Sequence, residues 1–133
     1  MIFLNLNGWN CVINDLPENG TKCMCILNMS SIAEICTFEN NRFNRSGVMF
    51  WIKLDDLLKD LKDVSILPNV NAGYFLTKDK EDIRVRYYSY GSFEGCVEKW
   101  VEIPEFPDGV IDDLMSYRTC RLSYLDKWKI NKN

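Results

Sequence analysis

The alternating run Ile83-Arg84-Val85-Arg86-Tyr87-Tyr88-Ser89-Tyr90 brings two guanidiniums and three tyrosines together. On an extended strand, successive side chains point to opposite faces. Ile83, Val85 and Tyr87 then share one side, and Arg84, Arg86, Tyr88 and Tyr90 share the other. A guanidinium offers bidentate donors to phosphate or carboxylate, and a tyrosine ring offers a surface on which a base stacks. Such a strip suits a small nucleotide, a strand of nucleic acid or an acidic patch on a protein. An exposed strand face whose Arg and Tyr pair across strands explains the same pattern without a ligand. The formal charge of -3 argues against bulk nucleic acid, which calls for a basic excess.

Other chemistry has thinner support. Cys23 and Cys25 lie two apart, so on a strand both thiols face one side. A zinc site needs two further donors, and no second close cysteine pair exists. Cys11, Cys36, Cys96 and Cys120 are scattered, mostly among apolar neighbours, which predicts buried free thiols and no metal. The chain has no histidine, and with it go the commonest general base and the commonest zinc ligand. The acid pairs Asp55-Asp56 and Asp112-Asp113 fall in helical patterns, where adjacent residues point about 100° apart and cannot share a catalytic site. Gly91-Ser92-Phe93-Glu94-Gly95 reads as a hairpin turn, and no phosphate-cradling glycine loop is present. The expectation is a non-enzyme without cofactor.

The elements that must position these residues are mostly strands. At 133 residues the chain fits one domain, 1–133, with a single core. Short apolar runs separated by turn residues predict a mainly antiparallel α+β fold, a meander or partly open barrel of about six to seven strands. Runs at Ile2–Leu6, Trp9–Ile13, Lys22–Leu27, Ile32–Phe38, Val48–Ile52, Tyr74–Leu76, Ile83–Tyr90 and Cys96–Ile103 supply them, with Glu39–Gly47 as polar loop. Leu54, Leu57, Leu58, Leu61 and Val64 share one face of a helix near 54–64. Asp108 and the stripe Ile111, Leu114, Met115, Leu122, Leu125, Trp128 predict a C-terminal helix near 109–128, packed on the β-rich body of residues 1–107. No internal repeat is evident. No apolar run is long enough to span a membrane and no basic leader precedes Ile2, so a cytoplasmic location is expected.

The two ends of the β-rich body carry a resemblance. Trp9-Asn10-Cys11-Val12, continuing through Leu16-Pro17 to Gly20 and an apolar strand, resembles the opening of domain-of-unknown-function family 551, common in phages and prophages. The family closes on an aromatic strand of the form His-Trp-x-Pro-Leu-Pro-x-Pro-Pro, and Lys99 to Pro107 lines up with it without a gap. Trp100, Pro104 and Pro107 match; Lys99 stands in place of the histidine, and Glu102 and Phe106 in place of two prolines. Phe38 and Trp51 sit where the family places an aromatic and a tryptophan. The likeness spans residues 8 to 107, with additional sequence between Trp51 and Val97 and the C-terminal helix outside it. It implies origin in a phage or mobile element and brings no activity with it. Trp9, Pro17, Gly20, Trp51, Trp100, Pro104 and Pro107 are then structural hallmarks, with the two tryptophans and two prolines of the ends packed as one cluster.

Together these readings predict a small accessory protein that binds a host protein, as an inhibitor of a bacterial defence component. The alternatives are a sponge for a small cyclic or linear nucleotide, held by Arg84, Arg86, Tyr88 and Tyr90, and a carboxylate-dependent hydrolase. An open sheet edge would also permit a homodimer.

Overall fold

The computed structural model describes residues 5–28, 30–80 and 82–107. The described chain is mostly antiparallel β, in two five-stranded sheets. One compact unit runs up to Leu54 and resumes from Pro104; the other is Asp55–Ile103.

The first unit holds β1 (Asn10–Cys11), β2 (Thr21–Leu27), β3 (Glu34–Glu39), β4 (Arg42–Phe43) and β5 (Val48–Lys53), in the spatial order β1-β5-β2-β3-β4. The short helix α1 (Leu54–Leu58) follows. The second unit holds β6 (Lys62–Asp63), β7 (Ala72–Asp79), β8 (Asp82–Ser89), β9 (Ser92–Phe93) and β10 (Lys99–Glu102), in the order β6-β10-β7-β8-β9. Substituting each strand of one sheet by its counterpart in the other gives the same order. The two units are therefore two copies of one module.

The register supports this rung by rung. Cys25 pairs with Glu34 and Trp51, as Thr77 pairs with Arg84 and Trp100. Asn10 pairs with Trp51 as Lys62 pairs with Trp100. Val12 N donates to Met49 O at 3.0 Å, and Val64 N to Glu98 O at 3.0 Å. The indole of Trp51 donates to Asp15 O at 2.9 Å and that of Trp100 to Ile66 O at 2.7 Å, in each case the carbonyl just before a Leu-Pro dipeptide. Pro17 and Pro68 are both buried. Each copy closes β3–β4 or β8–β9 through a two-residue turn, Asn40-Asn41 with φ of 54° and 61° and Tyr90-Gly91 with φ of 44° and 98°. Those left-handed angles match the twist of the flanking strands. The sequence spacing of the matched positions is about fifty residues, a repeat period that the expectation of no internal repeat overlooked.

Three other expectations change. The predicted six to seven strands of one meander or barrel become, among the described residues, ten strands in two sheets. The helix over 54–64 stops at Leu58. Five residues make a helix that is marginal by itself. From Lys62 the chain instead pairs with β10, where the Lys62 ammonium lies 2.6 Å from Glu102 Oε1 and 4.7 Å from the Trp100 ring centre. Tertiary pairing overrides the leucine periodicity there. Glu39–Gly47, expected as loop, contains β4 and its tight hairpin. The expected first strand falls largely on residues 1–4, and the C-terminal helix near 109–128 entirely on residues, that lie outside those described. Among the described residues no helix is long and apolar enough to cross a membrane.

Candidate functional site

The second module places the Arg/Tyr strip on β8. Cross-strand partners share a face, so Tyr74, Leu76, Val85 and Tyr87 lie on one side of the sheet and Phe75, Thr77, Arg84, Arg86, Tyr88 and Trp100 on the other. Tyr88 is buried. Its ring meets Phe75 at 6.0 Å and Phe93 at 4.9 Å, and Phe75 in turn meets Trp100 edge-on at 5.4 Å. Tyr88 thus belongs to an aromatic core.

The two arginines are engaged within the protein. Arg84 Nε lies 2.7 Å from Asp82 Oδ2, and Arg86 Nη2 lies 3.8 Å from the same oxygen. Arg86 Nη1 also donates to Glu94 O at 3.1 Å, and its side chain is only 19% exposed. The guanidinium fills the space that a side chain on Gly95 would need. Tyr90, on the tight turn, is 81% exposed. The four residues predicted as one strip therefore divide into a core ring, a half-buried guanidinium, an exposed ion pair and a projecting turn tyrosine.

The opposite face carries an exposed tyrosine pair. Tyr74 and Tyr87 sit directly across the β7–β8 ladder, 45% and 37% exposed, with ring centres 5.0 Å apart. Tyr90 N donates to Asn71 O at 2.8 Å, which brings the turn tyrosine to the same end of the ladder, beside the exposed Val70. Alternation alone separated the two faces correctly but could not say which tyrosines were buried, since both faces carry aromatics.

Of the remaining hallmark residues, Trp9, Pro17, Trp51, Trp100 and Pro107 are buried. Trp9 is buried against the strap Pro104–Pro107: it meets Phe106 edge-on at 5.8 Å and its indole donates to Glu105 O at 3.0 Å. Asn7 Nδ2 donates to Phe106 O at 2.9 Å. Trp100 belongs to the other unit, where it packs against Phe75 and Phe93. Gly20 takes φ of 91° where the chain enters β2. On β10, burial acts to raise the Glu102 carboxyl, but the hydrogen bond and charge of Lys62 outweigh it and hold it low.

In the first module one face of the sheet carries a thiol layer. Cys23, Cys25 and Cys36 are all buried beside Trp51. Burial, with Cys36 alongside, pushes the Cys23 thiol up to about 11. The hydrogen bond with Cys36, together with burial, raises Cys25; the same bond lowers Cys36. Among the described residues no group of three or more cysteines or acids is placed to hold a metal ion. Cys11 is buried as well, and Cys96 is exposed. In a Cys120→Ser background, a chromogenic disulfide reagent should therefore titrate one thiol per native chain and five after unfolding. Rapid reaction of a second thiol in the native protein would contradict the sealed layer.

No family model, curated protein or solved structure matches the chain.

Proposed function

We propose that this chain is a non-enzymatic accessory protein of a phage or mobile element, which works in the bacterial cytoplasm by binding a host protein and inhibiting a defence component. The observation behind a binding role is the distribution of exposed apolar side chains. Among the described residues Leu16 is the one such large side chain in the first module; Ile66, Leu67, Val70, Tyr74, Tyr87 and Tyr90 all belong to the second. Tyrosine is enriched at the centres of protein interfaces because it supplies large contact area at low cost in side-chain entropy. Here Tyr74 and Tyr87 are already paired on a rigid ladder, so little ordering remains for binding. The phage origin rests on the family resemblance. The repeat gives that resemblance a simple form: its opening lies in the first unit and the strand of its close, Lys99–Glu102, in the second, with Leu67-Pro68 and Trp51 as their internal echoes.

Affinity capture from bacterial lysate tests the reading when run beside a Tyr74→Ala, Tyr87→Ala, Tyr90→Ala variant. A stoichiometric partner held by the parent and lost by the folded variant is the expected result. A partner held equally by both, or none at micromolar bait, would refute the assigned surface.

A further inference from the structure

Two Asn-Gly dipeptides stand at tight turns of the first unit, Asn7-Gly8 before β1 and Asn19-Gly20 before β2. In such a dipeptide the glycine nitrogen, unhindered by a Cβ on its own residue, can attack the asparagine side-chain carbonyl. The N–Cγ bond forms, the Cγ–Nδ2 bond breaks, and the side-chain nitrogen leaves as ammonia with the amide proton. Water then opens the succinimide, giving aspartate from one carbonyl and isoaspartate from the other. The reaction needs a carboxamide free to swing and a glycine N–H free of any acceptor.

The fold treats the two sites differently. Asn19-Gly20 is the middle of a turn that Thr21 N closes on Glu18 O at 3.2 Å, with Gly20 at φ of 91°. Gly20 N donates to Phe38 O at 2.7 Å, so the nucleophile is engaged. The carboxamide is held as well: Asn41 N donates to Asn19 Oδ1 at 2.9 Å, and Asn19 Nδ2 donates to Asn41 Oδ1 at 3.1 Å. Asn7-Gly8 lies in a turn that Trp9 N closes on Leu6 O at 2.9 Å. Its central residues take φ of 53° and 93°, the left-handed pair of a type I′ turn. Among the described residues no acceptor meets the Gly8 N–H, and a Cβ on exposed Gly8 would meet open space. One bond restrains the Asn7 carboxamide among the described residues, from Nδ2 to Phe106 O at 2.9 Å.

We propose that Asn7 is a site of spontaneous deamidation in the folded chain, that its conversion loosens the strap Pro104–Pro107, and that the fold shields Asn19. The product has lost the Nδ2 donor, and an ionised carboxylate has no proton to offer the Phe106 carbonyl. On the isoaspartate branch the main chain runs through the former side chain and gains a methylene, which spoils the spacing of the turn. The strap then keeps the Trp9 indole on Glu105 O at 3.0 Å and the edge contact of Trp9 with Phe106. None of this depends on the tyrosine surface of the second module.

Peptide mapping by mass spectrometry tests the site in the full chain, aged under a phosphine reductant at mildly alkaline pH with and without urea. In the native chain Asn7 should convert faster than Asn19 by about fivefold or more, the factor that one ordinary hydrogen bond on the nucleophile is worth. In urea the two rates should draw together. Equal rates in the native chain, faster conversion of Asn19, or a difference that persists in urea would overturn the assignment. Hydrogen exchange of the Asn7→Asp variant reads the strap. The Trp9 indole N–H and the Glu105 and Phe106 amides should exchange faster than in the parent, again by about fivefold for the loss of one bond. Exchange as slow as in the parent would overturn the loosening of the strap.

Discussion

Replacing Phe75 by alanine is expected to cost about 3–5 kcal/mol of stability, the range for truncating a buried ring in a core that cannot fully collapse. Phe75 is 6% exposed and lies edge-on to three rings: Tyr88 at 6.0 Å, Phe93 at 5.9 Å and Trp100 at 5.4 Å. Each such edge-to-face pair adds roughly 0.5–1.5 kcal/mol beyond the area it buries, so removing the hub weakens several contacts at once. The neighbouring substitution is the control. Tyr74→Ala deletes a ring of similar size one residue away, but on the face where it is 45% exposed and, among the described residues, paired with the Tyr87 ring alone. It should cost roughly 0.2–1 kcal/mol, the worth of a cross-strand pair. Urea denaturation of the parent and both variants, followed by tryptophan fluorescence, measures the difference. Similar losses for the two substitutions would mean that the face assignment of β7 is wrong.

That contrast also shows where the sequence was informative. Turn residues and apolar runs located most long strands, because Gly, Pro and Asn mark chain reversals for local steric reasons. The buried thiols were legible too: Cys25 sits between Met24 and Ile26, and all three are fully buried. The leucine stripe from Leu54 misled because period alone carries no information on what β10 needs along its edge. Lys62 and Asp63 complete that edge, and the helix yields. The tyrosines of β8 were assigned to the wrong exposure because both faces of the sheet hold core residues, Leu76 and Val101 on one and Phe75 and Trp100 on the other. Hidden most completely was the duplication. The copies keep the Leu-Pro dipeptide, the hairpin aromatics and the tryptophan, which fix the ladder and its closing turn. They differ in the side chains that fill the cup, Cys23 against Phe75 and Cys36 against Arg86. Backbone pairing tolerates such exchanges as long as each copy fills its own core, so similarity survives in register far better than in residue identity.

Above pH 9 the thiol layer should become a source of instability. Cys23 is fully buried and its pKa is raised from 9.0 to about 11, chiefly by burial. Between those values the unfolded chain has lost the proton while the folded chain retains it, so unfolding releases a proton and stability falls as pH rises. The contribution is complete below pH 9, declines through the interval and is exhausted above about pH 11. A rise from 9.0 to about 11 corresponds to about 3 kcal/mol at most. Cys25, raised, acts in the same sense and Cys36, lowered, in the opposite one, so Cys23 gives the least ambiguous comparison. Denaturation free energies should be measured under a phosphine reductant from pH 8 to pH 11, for the parent and for Cys23→Ala. Lysine and tyrosine titrations are common to both chains and cancel in the difference. The alanine variant starts lower, because it leaves a small void, yet it should lose less as pH rises, and the two curves should converge by roughly the displacement given by the linkage relation. Parallel curves would show that Cys23 titrates as an ordinary thiol, with water reaching the layer between β2 and β3.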